Sequence, residues 1–158
     1  MNLYNIKNTW KEAKERGWNR TYWFVDFHNT IAVADYGDPE KKRQFFPYAK
    51  EVLHFLTKQD DVCLVLWTCS HRDDINEMIE FLEENDIKFD YINENPECVS
   101  DKRVNLTQKP YYNVMLDDRA GFDPEDWEII GAFLEDHYDA NILLEETKIS
   151  EHPGIIKE

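Results

Sequence analysis

Glycine is scarce, at 5 of 158 residues, and none of it falls into GxGxxG or Walker-type spacing. The glycine-rich loops that cradle nucleotide phosphates are therefore excluded. Cysteine is scarce as well. Cys63, Cys69 and Cys98 are an odd number without CxxC spacing, which argues against a disulfide framework and for a reducing, cytoplasmic setting. Cations are outnumbered: Lys and Arg total 18 against 33 Asp and Glu, a formal net charge of −15. Nonspecific binding to nucleic acid or to an anionic membrane draws on clustered cations, so neither partner is expected. No apolar run approaches the roughly 20 residues that span a bilayer. The opening MNLYNIKNTWKEAKERGWNR is too polar for the core of a signal peptide.

What the chain does have is 42% apolar and 14% aromatic residues over a length typical of one domain. No repeat, low-complexity tract or Gly/Ser linker divides it, and residues 1–158 read as a single domain. Residues 7–17 predict a helix capped at Asn8 or Thr9 and stopped by Gly17, within an N-terminal helical extension over 1–20. TYWFV, VCLVLW (62–67), FDYIN (89–93) and YYNVML (111–116) are short apolar runs rich in strand formers. Helices are predicted from Pro47 to about Lys58, over roughly 71–85, and from Asp123 to about Tyr138. Ser70 with Asp73 resembles a capping box for the second of these. Residues 35–46 carry turn signals and charge, and 31–46 read as a short flap. NILLEE predicts a last strand near 141–144, ahead of a polar tail over 145–158. Strands alternating with helices imply right-handed crossovers and a mainly parallel α/β sheet with helices on both faces.

Ligands in such sheets bind beyond the carboxyl ends of the strands. Three strand ends carry reactive groups: Asp26-Phe27-His28-Asn29-Thr30, Thr68-Cys69-Ser70 and Asp117-Asp118-Arg119. Asp26 and Asp117 are 91 residues apart, and only a parallel topology brings them to one rim. Converging carboxylates repel, and oxygen ligands without a His or Cys cluster favour Mg²⁺ over Zn²⁺. A carboxylate beside Mg²⁺ and a phosphate can attack phosphorus and form an aspartyl-phosphate. Mg²⁺ and a lysine would offset charge on the transferring group.

In these features the sequence resembles the haloacid dehalogenase (HAD) superfamily. DFHNT after WFV corresponds to the first motif, DxDxT. VCLVLWT, ending at Thr68, corresponds to the second, and VMLDD to the fourth. The correspondence covers roughly residues 21–122, in the expected order. It implies a Rossmann-like three-layer sandwich without a large cap domain, because only 16 residues separate Thr30 from Pro47. By the same resemblance Asp26 is the nucleophile and a Mg²⁺ ligand. The backbone carbonyl of His28 and the carboxylate of Asp117 complete the metal set, with Asp118 holding the metal or its water. Thr68 binds the substrate phosphate. The lysine of the third motif falls on Lys109, with Lys102 second and Lys88 third.

His28 stands where the family's phosphatases carry the second Asp, the general acid and base. An imidazole can donate or accept a proton near neutral pH, although its ring is bulkier. Two functions follow from the resemblance. One is a Mg²⁺-dependent phosphomonoesterase acting through an aspartyl-phosphate on Asp26, with a phosphorylated substrate and a monomeric or homodimeric state. The other is a HAD-fold binding protein whose chemistry was lost with the second Asp.

Overall fold

The computed structural model describes residues 3–34, 38 and 43–143. The elements run α1 (Tyr4–Glu15), β1 (Thr21–Val25), α2 (Ala49–Leu56), β2 (Val62–Leu66), α3 (Arg72–Glu84), β3 (Tyr91–Ile92), β4 (Val114–Leu116) and α4 (Trp127–Tyr138). The four strands form one parallel sheet in the order β3-β2-β1-β4. Every residue of β1 and β2 is buried, as a strand covered on both faces demands.

Alternation along the strands splits the core in two. Trp23, Val25, Leu64 and Leu66 face one side and join Ile6 of α1, Val52 of α2, Met78 of α3 and Trp127 and Ile130 of α4. Tyr22, Phe24, Cys63 and Val65 face the other side, where they meet Trp18, Trp67, Cys98, Leu106, Tyr111 and Tyr112. All four helices therefore bury their apolar stripes in one cluster. The second face is covered by the irregular connection from β3 to β4, not by the helices that the alternating pattern predicted there. Topology supplies the reason. The steps from β1 to β2 and from β2 to β3 advance in one direction, so right-handed crossovers keep α2 and α3 on one face. The step from β3 back to β4 reverses direction and passes over the other.

A connection without a helix must satisfy its buried polar groups by other means. Buried Asn113 does so by accepting from the Tyr22 N–H at 2.8 Å and donating its own N–H to the Tyr22 carbonyl at 2.8 Å. Buried Asn95 donates its side-chain amide to the Tyr111 carbonyl at 2.9 Å. Aromatic edges fill the remainder, with ring centroids 4.4 Å apart for Trp18–Tyr111 and 5.5 Å for Phe24–Tyr112.

Several local expectations change. The first helix begins at Tyr4, so Asn8 and Thr9 lie inside it and bond back to the Tyr4 and Asn5 carbonyls. Gly17, at φ 75°, does follow its end. Ser70 does not cap α3: the N-cap is His71, without a side-chain bond, and Ser70 pairs with Thr68 instead. Residues 141–143 form no strand, because the N–H groups of Ile142 and Leu143 donate to the Glu135 carboxylate at 2.7 and 3.0 Å. Residue 144 and the tail lie outside the described residues, as do 35–37 and 39–42 of the flap. The base of that flap pairs antiparallel, Ala32 with Phe45, and the Val33 N–H reaches the Gln44 carbonyl at 3.1 Å. Among the described residues, no helix is long and apolar enough to cross a membrane.

Candidate functional site

Strand register builds the site. Val25 pairs with both Leu66 and Leu116, so three strands end level with one another. The ladder continues one residue further: Asp26 N–H to the Leu116 carbonyl (2.8 Å), Trp67 N–H to Val25 (2.9 Å) and Asn93 N–H to Leu66 (2.8 Å). Asp26, Trp67, Asn93 and Asp117 thus share one rim. The rim straddles β1, whose neighbours β2 and β4 are reached by connections running in opposite directions, the usual place for a ligand crevice. A cavity of about 1110 Å³ opens there.

The chain after β1 turns back on itself: the N–H groups of Thr30, Ile31 and Ala32 all reach the Phe27 carbonyl, and Asn29 takes φ 57°. The turn buries Thr30 completely, and the Trp127 indole N–H fixes its carbonyl at 2.7 Å. Its hydroxyl accepts from the Asp118 N–H at 3.1 Å and lies 3.4 Å from Asp26 Oδ2 and 3.5 Å from Asp118 Oδ1. One oxygen from each of Asp26, Asp117 and Asp118 lies within 4.8 Å of the others. Burial drives the Asp26 carboxyl up to about 7. The Phe27 backbone N–H pulls the other way, and the neighbouring Asp117 and Asp118 carboxylates add to the rise. Asp117 is oriented by the Arg119 N–H at 2.9 Å. Among the described residues, Asp26, Asp117 and Asp118 are those that could together hold a metal ion, and their donors are hard oxygens.

Thr68 lines the same cavity, opposite the carboxylates in the chain's order and adjacent through β2. Its N–H is taken by Asn93 Oδ1 at 2.7 Å, and its hydroxyl pairs with Ser70 Oγ at 3.1 Å. His28 lines the cavity too, its ring edge-on to Phe27. The structure therefore brings Asp26, His28, Thr68, Asp117 and Asp118 to one cleft. It does not bring Lys109 to the cavity lining: that ammonium lies 5.9 Å from the Tyr112 ring, on the connection covering the second face. Neither Lys102 nor Lys88 lines the cavity. Trp67, Asn93 and Arg43 are lining residues that motif spacing did not single out as a site. The position of Trp67 directly before Thr68, at a strand end, was a usable signal for the first. Asn93 ends the FDYIN run and carried the same kind of signal, while Arg43 ends the short basic run Lys41-Lys42-Arg43.

No family model matches the chain, and no curated protein does. Among solved structures, it is similar to a conserved protein from Bacteroides thetaiotaomicron, with 26% identity and a TM-score of 0.58 over 75% of this chain and 93% of that one. The likeness and the topology together define a Rossmann-like α/β protein with a four-stranded parallel sheet.

Proposed function

We propose that the protein is a HAD-like, Mg²⁺-dependent phosphomonoesterase. The observation that carries this is the convergence of Asp26, Asp117 and Asp118 to within 4.8 Å at a parallel-sheet switch point. The order and spacing of DFHNT, VLWT and VMLDD support it. Mg²⁺ held by those carboxylates would supply charge neutralisation for the substrate and for the triad itself.

The chain's own residues then divide the work. Asp26 attacks phosphorus, forming a carboxyl–phosphorus bond as the bond to the leaving oxygen breaks. His28 donates a proton to that oxygen. In the second half His28 takes a proton from water as the water attacks phosphorus, and the acyl phosphate opens to Asp26 and inorganic phosphate. Thr68 and Ser70 place hydroxyls on the cavity wall for the phosphoryl oxygens. Only 16 residues separate Thr30 from Pro47, too few for a large cap, which suits a substrate whose phosphate projects from a larger body.

The test is hydrolysis of p-nitrophenyl phosphate by the full chain, with and without Mg²⁺, beside Asp26→Asn. Turnover that needs Mg²⁺ and falls at least ~10³-fold in the variant is expected; turnover that survives the substitution removes Asp26 as nucleophile. A second reading, a binding protein that retains the cleft without turnover, rests on His28 at the position of the second Asp. It predicts that wild type is inert and that His28→Asp gains Mg²⁺-dependent phosphatase activity. A folded His28→Asp protein that still binds Mg²⁺ and gains nothing counts against it.

A further inference from the structure

We propose that Arg43, from the base of the flap, is the residue that grips the phosphoryl oxygens of the substrate, in the role that the motif pattern assigned to a lysine. The inference rests on the phosphatase reading of the same cavity. Among the described residues, six carboxylates line that cavity, Asp26, Asp38, Asp74, Glu77, Asp117 and Asp118, and the arginines there are Arg43 and Arg119. A phosphate dianion entering such a space needs a protein cation as well as a dication, since the carboxylates outweigh the charge of a single Mg²⁺.

Arg43 is placed for this in a way that Arg119 is not. Its side chain is only 18% exposed, and the guanidinium carbon lies 5.8 Å from the centre of the Phe27 ring. Phe27 is fully buried and sits in the chain between Asp26 and His28, so the ring that seats the guanidinium belongs to the nucleophile's own loop. The backbone nearby is anchored as well. Gln44 and Phe45 pair with Val33 and Ala32, and the Phe45 ring stacks on Phe81 at 4.7 Å. Arg43 Nη2 also meets Glu77 Oε2 at 3.4 Å, but that carboxylate is 63% exposed. Water screens such a pair, which leaves it weaker than a forked contact to a phosphate whose oxygens match the guanidinium geometry. Arg119, by contrast, is exposed.

The experiment compares wild type, Arg43→Gln, Arg43→Lys, Lys109→Gln and the charge-matched surface control Arg103→Gln. Three quantities are measured in Mg²⁺: kcat and KM on p-nitrophenyl phosphate, the affinity for inorganic phosphate by calorimetry, and Tm. Arg43→Gln is expected to raise KM and weaken phosphate binding at least ~10-fold, with kcat within about threefold and Tm close to wild type. Arg43→Lys is expected to recover part of the loss, and Arg103→Gln to change nothing. Phosphate affinity within twofold of wild type in Arg43→Gln overturns the assignment. So does a loss that follows a lower Tm without recovery in Arg43→Lys, and so does a ~10-fold loss in Lys109→Gln in place of Arg43→Gln. If wild type turns over normally in any of these cases, the phosphatase reading stands without Arg43. If wild type shows no turnover, that reading fails and the phosphate titration alone decides on Arg43. A wild-type protein that binds no inorganic phosphate overturns both.

Discussion

At the scale of single residues, Asp26 is held in a place that suits chemistry better than stability. It follows a fully buried strand, shares its surroundings with Asp117 and Asp118, and its carboxyl is pushed up to about 7 by burial first and by those neighbours second. A carboxyl raised in the folded state stabilises the fold while protonated. That contribution is lost as pH climbs from the unfolded carboxylate range toward 7, and no further loss occurs above it. In EDTA, Asp26→Asn is therefore expected to be more stable than wild type by on the order of 1–2 kcal/mol at pH 8. The figure is well below the full shift because the group faces an open cleft. The gain should shrink toward zero at pH 4, and thermal or urea unfolding across that range measures it. An equal gain at both ends would mean that the carboxylate is not strained by its setting. On the Mg²⁺-dependent reading proposed above, saturating Mg²⁺ should reverse the order by stabilising wild type more than the variant.

Between elements, Thr30 is the stitch. Its hydroxyl accepts the Asp118 N–H at 3.1 Å and so ties the turn after β1 to the turn after β4, two segments 88 residues apart. Because Thr30 is fully buried, Thr30→Val keeps the volume while leaving that N–H without its acceptor. A loss of about 1–3 kcal/mol in urea unfolding is expected and, on the Mg²⁺ reading proposed above, weaker Mg²⁺ binding as Asp118 loses its position. Thr30→Ser keeps the hydroxyl and should retain the metal affinity at a smaller cost. A Thr30→Val protein as stable and as tightly binding as wild type would show that the two turns are held together by packing alone. The β3-to-β4 connection follows the same economy. It has no helix to absorb its backbone groups, so Asn113 bonds it to Tyr22 of β1 and Asn95 bonds across it to Tyr111.

For the molecule as a whole, the four short strands, the helices and the carboxylate motifs were legible in the sequence because each depends on near neighbours in the chain. TYWFV and VCLVL announce buried strands by composition, and Ile75, Met78 and Leu82 announce a helix face by spacing. DFHNT and LDD stand out because polar residues end apolar runs. The strand predicted near 141–144 and the helices predicted on the second face were not found among the described residues, and three further features were not legible. Ser70 had the spacing of a cap, yet its hydroxyl had a nearer partner in Thr68. Lys109 lay at a plausible point before β4, yet the chain leading to that strand crosses the second face and carries the lysine to Tyr112. Arg43 ends the short basic run Lys41-Lys42-Arg43, yet only the pairing of Ala32 with Phe45 brings it to the cavity. Local sequence by itself determined which residues form strands and helices and which carboxylates end them, because burial period and chain reversal are properties of a few adjacent residues. Tertiary structure alone decided that Val25, Leu66 and Leu116 end level, that the described helices pack on one face, and that Arg43 reaches the cleft. These follow from strand register and crossover direction, which no single stretch of chain contains.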